Sequence, residues 1–354
     1  MPENKTDLLS LTEKELEGFF LSIGEPKYRA KQLFTQMHKG LTPDEITNFS
    51  AATKQKIAET AYCRFPTVAK KLISAIDGTV KYLFRLHDGH CVESVVMRYE
   101  HGITICISTQ VGCRMGCRFC ASTIDGKVRD LLPSELLGQV IAAAKDLGER
   151  IGGIVMMGIG EPLDNYDNVI RFLRLVGEEN GVNIGYRHIS LSTCGLVDKI
   201  YELAREDLPI TLSISLHAAD DVTRSEIMPI NKRYGVGELL DACRDYFAAT
   251  GRRISFEYTL IAGKNDSPEA AKRLADVLNG KLRSKTTTMP IHVNLIPVNE
   301  VKERDFTHSD KKAIAEFARI LEKHGIRATV RRKLGADINA SCGQLRRANM
   351  EGTL

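Results

Sequence analysis

Ile103-Thr104-Ile105-Cys106-Ile107-Ser108-Thr109-Gln110-Val111-Gly112-Cys113-Arg114-Met115-Gly116-Cys117-Arg118-Phe119-Cys120 runs from a strand into a loop that carries three thiols. Period-two alternation puts the isoleucines on one strand face and Thr104, Cys106 and Ser108 on the other. Cys113, Cys117 and Cys120 follow with three and then two residues between them. Nine cysteines in 354 residues would give this spacing by chance about one time in two hundred. Four thiolates fully ligate a four-iron cluster, whereas three leave one iron open to a small molecule. Such a cluster can also deliver one electron at low potential, which homolysis of a sulfonium C–S bond requires. Structural zinc wants a closed set of four ligands, and no fourth lies close by in the sequence.

On the C-terminal side, strands alternate with helices. ITICIST (103–109) precedes a helix from Ser134, GGIVMM (152–157) a helix from about Asn165, and RHISLS (187–192) a helix near Leu196. ITLSISLH (210–217), RISFEYTLI (253–261) and IHVNLIP (291–297) are followed by helices over 235–250, 267–279 and 309–324. Six such units imply a parallel sheet with crossover helices, a partial (β/α)6 barrel of the α/β class. A closing strand, 327–331, precedes a short tail.

On the N-terminal side, TVAKKLISAI (67–76), TVKYLFRLH (79–87) and HCVESVVMRY (90–99) read as an antiparallel meander. Asp77-Gly78 and Asp88-Gly89 between them are signals for two-residue turns. The first 62 or so residues read as short helices, with Thr12 and Glu15 spaced as a capping box. The expected division is a helical accessory domain (1–65), antiparallel strands (66–102), the barrel (103–325) and a C-terminal strand and tail (326–354).

The composition, 43% hydrophobic and 27% charged, is that of a globular chain. The start lacks a basic segment followed by a long apolar run, and no apolar stretch of about 18 residues occurs. A cytoplasmic chain with no membrane association is expected, and its cysteines are better explained by metal binding, catalysis or small core positions than by a structural disulfide framework. The net charge of +4 is too weak to argue a nucleic-acid partner by itself. Its distribution says more: Arg327, Arg331, Arg332, Lys333, Arg346 and Arg347 stand against one acid, Asp337, which suits a polyanion.

Several further residues converge on the C-terminal ends of the strands, where barrels bind their ligands. They are Gly160 and Glu161 after the second strand, Ser192 at the end of the third, Ser215 and His217 at the fourth, and Asn294 in the sixth. Glu93 shares a strand face with Cys91, Val95 and Met97, an odd place for a carboxylate unless it is exposed or functional. Cys342 sits among small residues that permit close backbone approach.

The CxxxCxΦC pattern, with Phe119 as its aromatic residue, resembles the radical S-adenosylmethionine (SAM) superfamily. The segments CISTQVGCRMGCRFCAST (106–123), MMGIGEPLDN (156–165), SLHA (215–218), HVNLIPVN (292–299) and GADINASCGQL (335–345) resemble, more closely, the RlmN family of RNA adenine C2-methyltransferases. The resemblance implies a [4Fe-4S] cluster on Cys113, Cys117 and Cys120, and SAM held by Gly160, Glu161, Ser192, Ser215, His217 and Asn294. It implies that Cys342 is S-methylated by one SAM, that the 5′-deoxyadenosyl radical from a second activates this methyl, and that the carbon adds to adenine. Glu93 would take the proton, and Cys106 would attack Cys342, releasing methyladenine and leaving a Cys106–Cys342 disulfide. The implied partners are 23S rRNA, the tRNA adenosine beside the anticodon and a low-potential electron donor, acting on a monomer. An RNA-binding role for the N-terminal helices is implied as well.

Three alternatives stand beside this reading. The related Cfr type methylates C8, and has a cysteine where this chain has Val111. A non-catalytic iron–sulfur redox or sensor protein would need neither SAM contacts nor a distant thiol pair. An RNA-binding module with structural zinc would hold zinc without iron and sulfide.

Overall fold

The computed structural model describes residues 5–283, 289–301, 303–338 and 340. Cys342, Arg346 and Arg347 lie outside the described residues. The N-terminal module begins with β1 (Thr6–Asp7), followed by α1 (Glu13–Ser22), α2 (Arg29–Met37), α3 (Ala51–Thr60) and β2 (Ala61–Tyr62), which pairs in parallel with β1. The capping box forms: the Glu15 carboxylate accepts the Thr12 N–H at 2.8 Å and the Thr12 hydroxyl accepts the Glu15 N–H at 3.3 Å. Helical periodicity puts Ala30, Leu33, Phe34 and Met37 on the buried face of α2.

Next come β3 (Thr67–Ile73), β4 (Val80–Arg85), β5 (Cys91–Tyr99) and β6 (Gly102–Cys106), each antiparallel to the one before. The two expected turns are longer than two residues. Ser74 N–H donates to the Thr79 carbonyl and Leu86 N–H to the His90 carbonyl, leaving loops of four and three residues. The Asp-Gly signals do mark the bends, with Gly78 and Gly89 at positive φ. The first loop is widened because Asp77 turns its carboxylate onto the Thr79 N–H at 3.0 Å and, from far along the chain, the Gly335 N–H at 2.9 Å.

A small hairpin that the periodicity did not signal follows: β7 (Gln110–Gly112) and β8 (Lys127–Asp130). The alternating part is α4 (Pro133–Leu147), β9 (Gly153–Met156), α5 (Tyr166–Gly177), β10 (Ile189–Thr193), α6 (Val197–Leu203), β11 (Thr211–Ser215), α7 (Asp221–Ile227), α8 (Val236–Thr250), β12 (Ile254–Leu260), α9 (Pro268–Leu282), β13 (His292–Pro297), α10 (Lys311–Lys323) and β14 (Arg327–Val330). The six expected crossover helices are α4, α5, α6, α8, α9 and α10, and α7 is one short helix more than the pattern foretold. One ten-stranded sheet results, in the order β14-β13-β12-β11-β10-β9-β6-β5-β4-β3. From β6 to β14 every neighbour is parallel.

Residues just beyond β14 bond to the hairpin at the opposite edge. Asp337 accepts the Ser74 hydroxyl at 2.7 Å and the Ala75 N–H at 2.8 Å. The sheet must therefore curl until its two ends meet across this segment, the shape of a partial barrel with its open side bridged. Among the described residues no helix is long and apolar enough to cross a membrane.

Candidate active site

The three-cysteine loop closes between β7 and β8. Gly112 has φ +77°, and a Cβ there would meet the Gly126 carbonyl oxygen at 1.9 Å, so only glycine lets the strands start this close. The Cys113 N–H donates to that same carbonyl at 2.9 Å, and the Thr123 hydroxyl reaches the carbonyls of Cys117 and Cys120, both at 3.0 Å. Below the loop, Cys117 packs with Cys194, Ile227, Met228, Ile261 and Val298, which follow the ends of β10, β12 and β13 or belong to α7 and its exit. The loop thus lies over the C-terminal ends of the parallel strands.

Burial pushes the Cys113 thiol up to about 12, and the neighbouring Cys120 adds to the effect. Cys117 is raised by burial first, then by Cys120 and Cys113. The Arg224 charge only partly offsets this at Cys117, and three thiols this close are the donor set a metal group wants, because a coordinating thiol is deprotonated outright. The buried Ser122 hydroxyl, two residues past Cys120, and the buried Thr109 hydroxyl have no hydrogen-bond partner. Among the described residues no three His, Cys, Asp or Glu side chains gather on a single ion.

Gly160 has φ +109°, and a Cβ would meet the Gln110 Cβ and the Thr109 hydroxyl, both at 2.7 Å. The backbone of this segment is therefore pressed against the start of the cysteine hairpin. Glu161 is buried, its two oxygens accepting the Leu163 N–H at 3.0 Å and the Cys194 N–H at 2.7 Å. Burial raises its pKa against these backbone donors. The side chains of Thr193 and Cys194 hydrogen-bond to it as well, so Glu161 braces the end of β9 to the end of β10 directly beneath the cysteine loop.

Two in-register rows of polar side chains line the next strands. One is Ser192, Ser213 and Ser255 across β10, β11 and β12. The other is Ser215, Glu257, Asn294 and Thr329 across β11 to β14. Glu257, unforeseen in the sequence, is 4% exposed and accepts the Asn294 amide at 2.7 Å and the Ser255 hydroxyl at 3.1 Å. Its pKa is raised by burial.

His217 is packed rather than open, at φ +59°. Its Nδ1 accepts the Thr259 N–H at 2.9 Å, and its carbonyl accepts the Asn265 amide at 2.7 Å. Burial, with the Arg224 charge second, holds its pKa down at about 3, so the ring is neutral with its proton on Nε2. Phe119 of the cysteine loop meets this ring edge to face, 4.9 Å between centroids. Arg224, also missed in the sequence, is wholly buried and donates to the carbonyls of Leu216 at 2.9 Å, Cys194 at 2.7 Å and Ser215 at 3.1 Å. It ties together the strand ends on which the site stands.

Away from the cysteine loop, Cys106 lies in a row with Lys81, Val95 and Val155 across β4, β5, β6 and β9. It packs with Val95, Met97, Val155, Met157, Leu334 and Ala340. Glu93, on the same face of β5, pairs with Lys81 at 3.0 Å. The structure thus groups Cys106 and Glu93 on one part of the inner surface, and Gly160, Glu161, Ser192, Ser215, His217 and Asn294 around the strand ends. Arg327, Arg331, Arg332 and Lys333 are exposed.

The domain family described as "Radical SAM superfamily" matches residues 107–275, and that described as "Ribosomal RNA large subunit methyltransferase N-terminal domain" matches residues 6–63. A relative from Alkaliphilus oremlandii, named "Probable dual-specificity RNA methyltransferase RlmN", is 53% identical over 348 residues, 98% of this chain and 99% of its own. One of the same name from Clostridium novyi is 51% identical over 343 residues, 96% and 98% of the two chains. The crystal structure of a radical SAM methyltransferase from Sphaerobacter thermophilus superposes with a TM-score of 0.89 at 42% identity, covering 96% of this chain and 98% of that one.

Proposed function

The chain belongs to the RlmN family of radical SAM RNA methyltransferases, and on that premise we propose that it methylates C2 of an adenosine in 23S rRNA and of the adenosine beside the tRNA anticodon, with Cys342 carrying the methyl group and Cys106 releasing it. As a family member it is a SAM-dependent enzyme with a [4Fe-4S] cluster. Cys113, Cys117 and Cys120 are assigned to the cluster, which when bound supplies the electron for reductive cleavage of SAM.

The observation that carries the two-cysteine reading is the contact of Ala340 with the cluster of side chains around Cys106. Cys342 follows Ala340 by two residues, a reach of at most about 7 Å of extended chain. The Asp337 and Gly335 bonds to the β3–β4 loop anchor the approach. The roles then divide by position. Cys342, as thiolate, would take the methyl group of one SAM, with S-adenosylhomocysteine leaving. This carbon, having given a hydrogen atom to the 5′-deoxyadenosyl group of a second SAM, would bond to the adenine ring carbon, and one electron would leave to a redox acceptor of the kind the cluster supplies. Glu93, positioned by its pair with Lys81, receives the proton from the ring carbon. Cys106 then attacks the Cys342 sulfur: an S–S bond forms, the C–S bond breaks, and its electron pair stays with the carbon, which takes a proton to become methyl. A dithiol reductant regenerates the two thiols.

Around the strand ends, Asn294, with its amide nitrogen committed to Glu257, presents its oxygen, and Gly160 and Glu161 offer backbone and carboxylate acceptors to an ammonium. Incubation of the cluster-loaded protein with SAM, RNA and a low-potential one-electron reductant, followed by nuclease digestion and mass spectrometry, tests the assignment. It predicts 2-methyladenosine, whereas 8-methyladenosine would overturn the position.

A further inference from the structure

The hairpin from β5 to β6 turns at Glu100 and His101, with Tyr99 opposite Gly102. Alternation puts Glu93, Val95, Met97 and Tyr99 on one face of β5, so a column that begins at a buried carboxylate ends at an exposed ring. The Tyr99 hydroxyl donates to the Met97 sulfur at 3.4 Å, and Met97 packs in the cluster that holds Cys106 and Ala340. Tyr99 nevertheless keeps 42% of its surface in solvent. Its ring lies parallel to that of the exposed His101, with centroids 5.3 Å apart and planes 10° apart. Burial raises the Tyr99 pKa and the nearby Arg331 charge pulls against it, and Arg332 and Lys333 are exposed beside Arg331 in the chain.

Aromatic and imidazole planes with exposed surface are what single-stranded RNA stacks on. An adenosine drawn out of its stack leaves the face of its neighbour uncovered. Cations beside such a platform track the phosphates. We propose that Tyr99 and His101 form a stacking platform for the unpaired nucleobase adjacent to the target adenosine, with Arg331 on the neighbouring phosphate. The platform rests on the placement of Cys106 in the catalytic machinery argued above.

The test uses the full, cluster-loaded protein and two stem-loop RNAs with 2-aminopurine on the 5′ or the 3′ side of the target adenosine. Binding should quench one of the two probes. The double variant Tyr99→Ala, His101→Ala should lose this quench and bind about tenfold or more weakly, while Tyr99→Phe, which keeps the ring, should retain both. S-methylation of Cys342, which needs SAM and not RNA, should be unchanged in the double variant and reports that it is folded. A double variant with wild-type affinity and wild-type quenching would overturn the platform. Loss of Cys342 methylation in that variant would also overturn it, by making the pair a packing element. A wild-type protein whose Cys342 is never methylated would instead remove the two-cysteine reading on which the platform rests.

Discussion

Lys81 and Glu93 form an ion pair, Nζ to Oε2 3.0 Å, in which Lys81 is wholly buried and Glu93 is 3% exposed. The pair sits one diagonal step from the Val95–Cys106 register contact. Breaking a buried pair of this kind costs about 3–5 kcal/mol, and it removes the group that holds the Glu93 carboxyl in place. Lys81→Met should therefore lower RNA methylation by about a hundredfold or more while Cys342 S-methylation, read by peptide mass spectrometry, persists. Equal loss of both would reduce Lys81 to a structural role.

Arg224 is wholly buried and holds three strand-end carbonyls. Arg224→Met should leave those acceptors orphaned, each costing about 1–3 kcal/mol, and lower the thermal midpoint markedly. Iron loading should fall with it, because the Cys194 carbonyl it anchors belongs to the residue packed against Cys117. Calorimetry with iron analysis checks both, and an unchanged midpoint would contradict the account.

The bonds from Asp337 to Ser74 and Ala75 are the visible tether of the segment that leads to Cys342. Asp337→Ala should speed tryptic cleavage after Arg331, Arg332 and Lys333 severalfold and slow Cys342 methylation. Identical proteolysis of variant and wild type would mean the tether is dispensable.

His38 is stacked on Phe34, accepts the Val182 N–H at Nδ1, and has a buried Nε2 without a partner. Burial lowers its pKa to about 4. Below about 6.5 the unfolded chain binds a proton that the folded chain refuses until about 4, so stability falls as pH drops through that window. One such group removes about 3 kcal/mol across it. Urea unfolding at pH 7.5 and 5 should show a larger drop for wild type than for His38→Gln, and parallel drops would exclude His38 as the source.

Local pattern in the sequence was enough for the cysteine loop, the six β/α units and the polar strand ends, because spacing along one segment carries each of them. What it could not carry depends on register between strands. Lys81 stands in TVKYLFRLH like any solvent-facing strand residue, and only the pairing of β4 with β5 turns it onto Glu93. Glu257 reads as a charged break in an apolar strand until β13 brings Asn294 beside it. Arg224 lies in a seven-residue helix too short for a periodic signal. The β7–β8 hairpin was hidden because its strands are three and four residues long and separated by the cysteine loop itself.

The most direct test of the central claim is made on Cys106→Ala, cluster-loaded, with SAM and substrate RNA. Cys342 remains able to take up a methyl group and join its carbon to adenine, but the thiol that cleaves this link is gone. The reaction should stop at a covalent protein–RNA adduct, seen as an RNA-shifted band that survives denaturation, requires SAM and vanishes when Cys342→Ala is added. A folded, cluster-loaded Cys106→Ala protein that turns over normally, or that forms no adduct, would contradict the assigned roles.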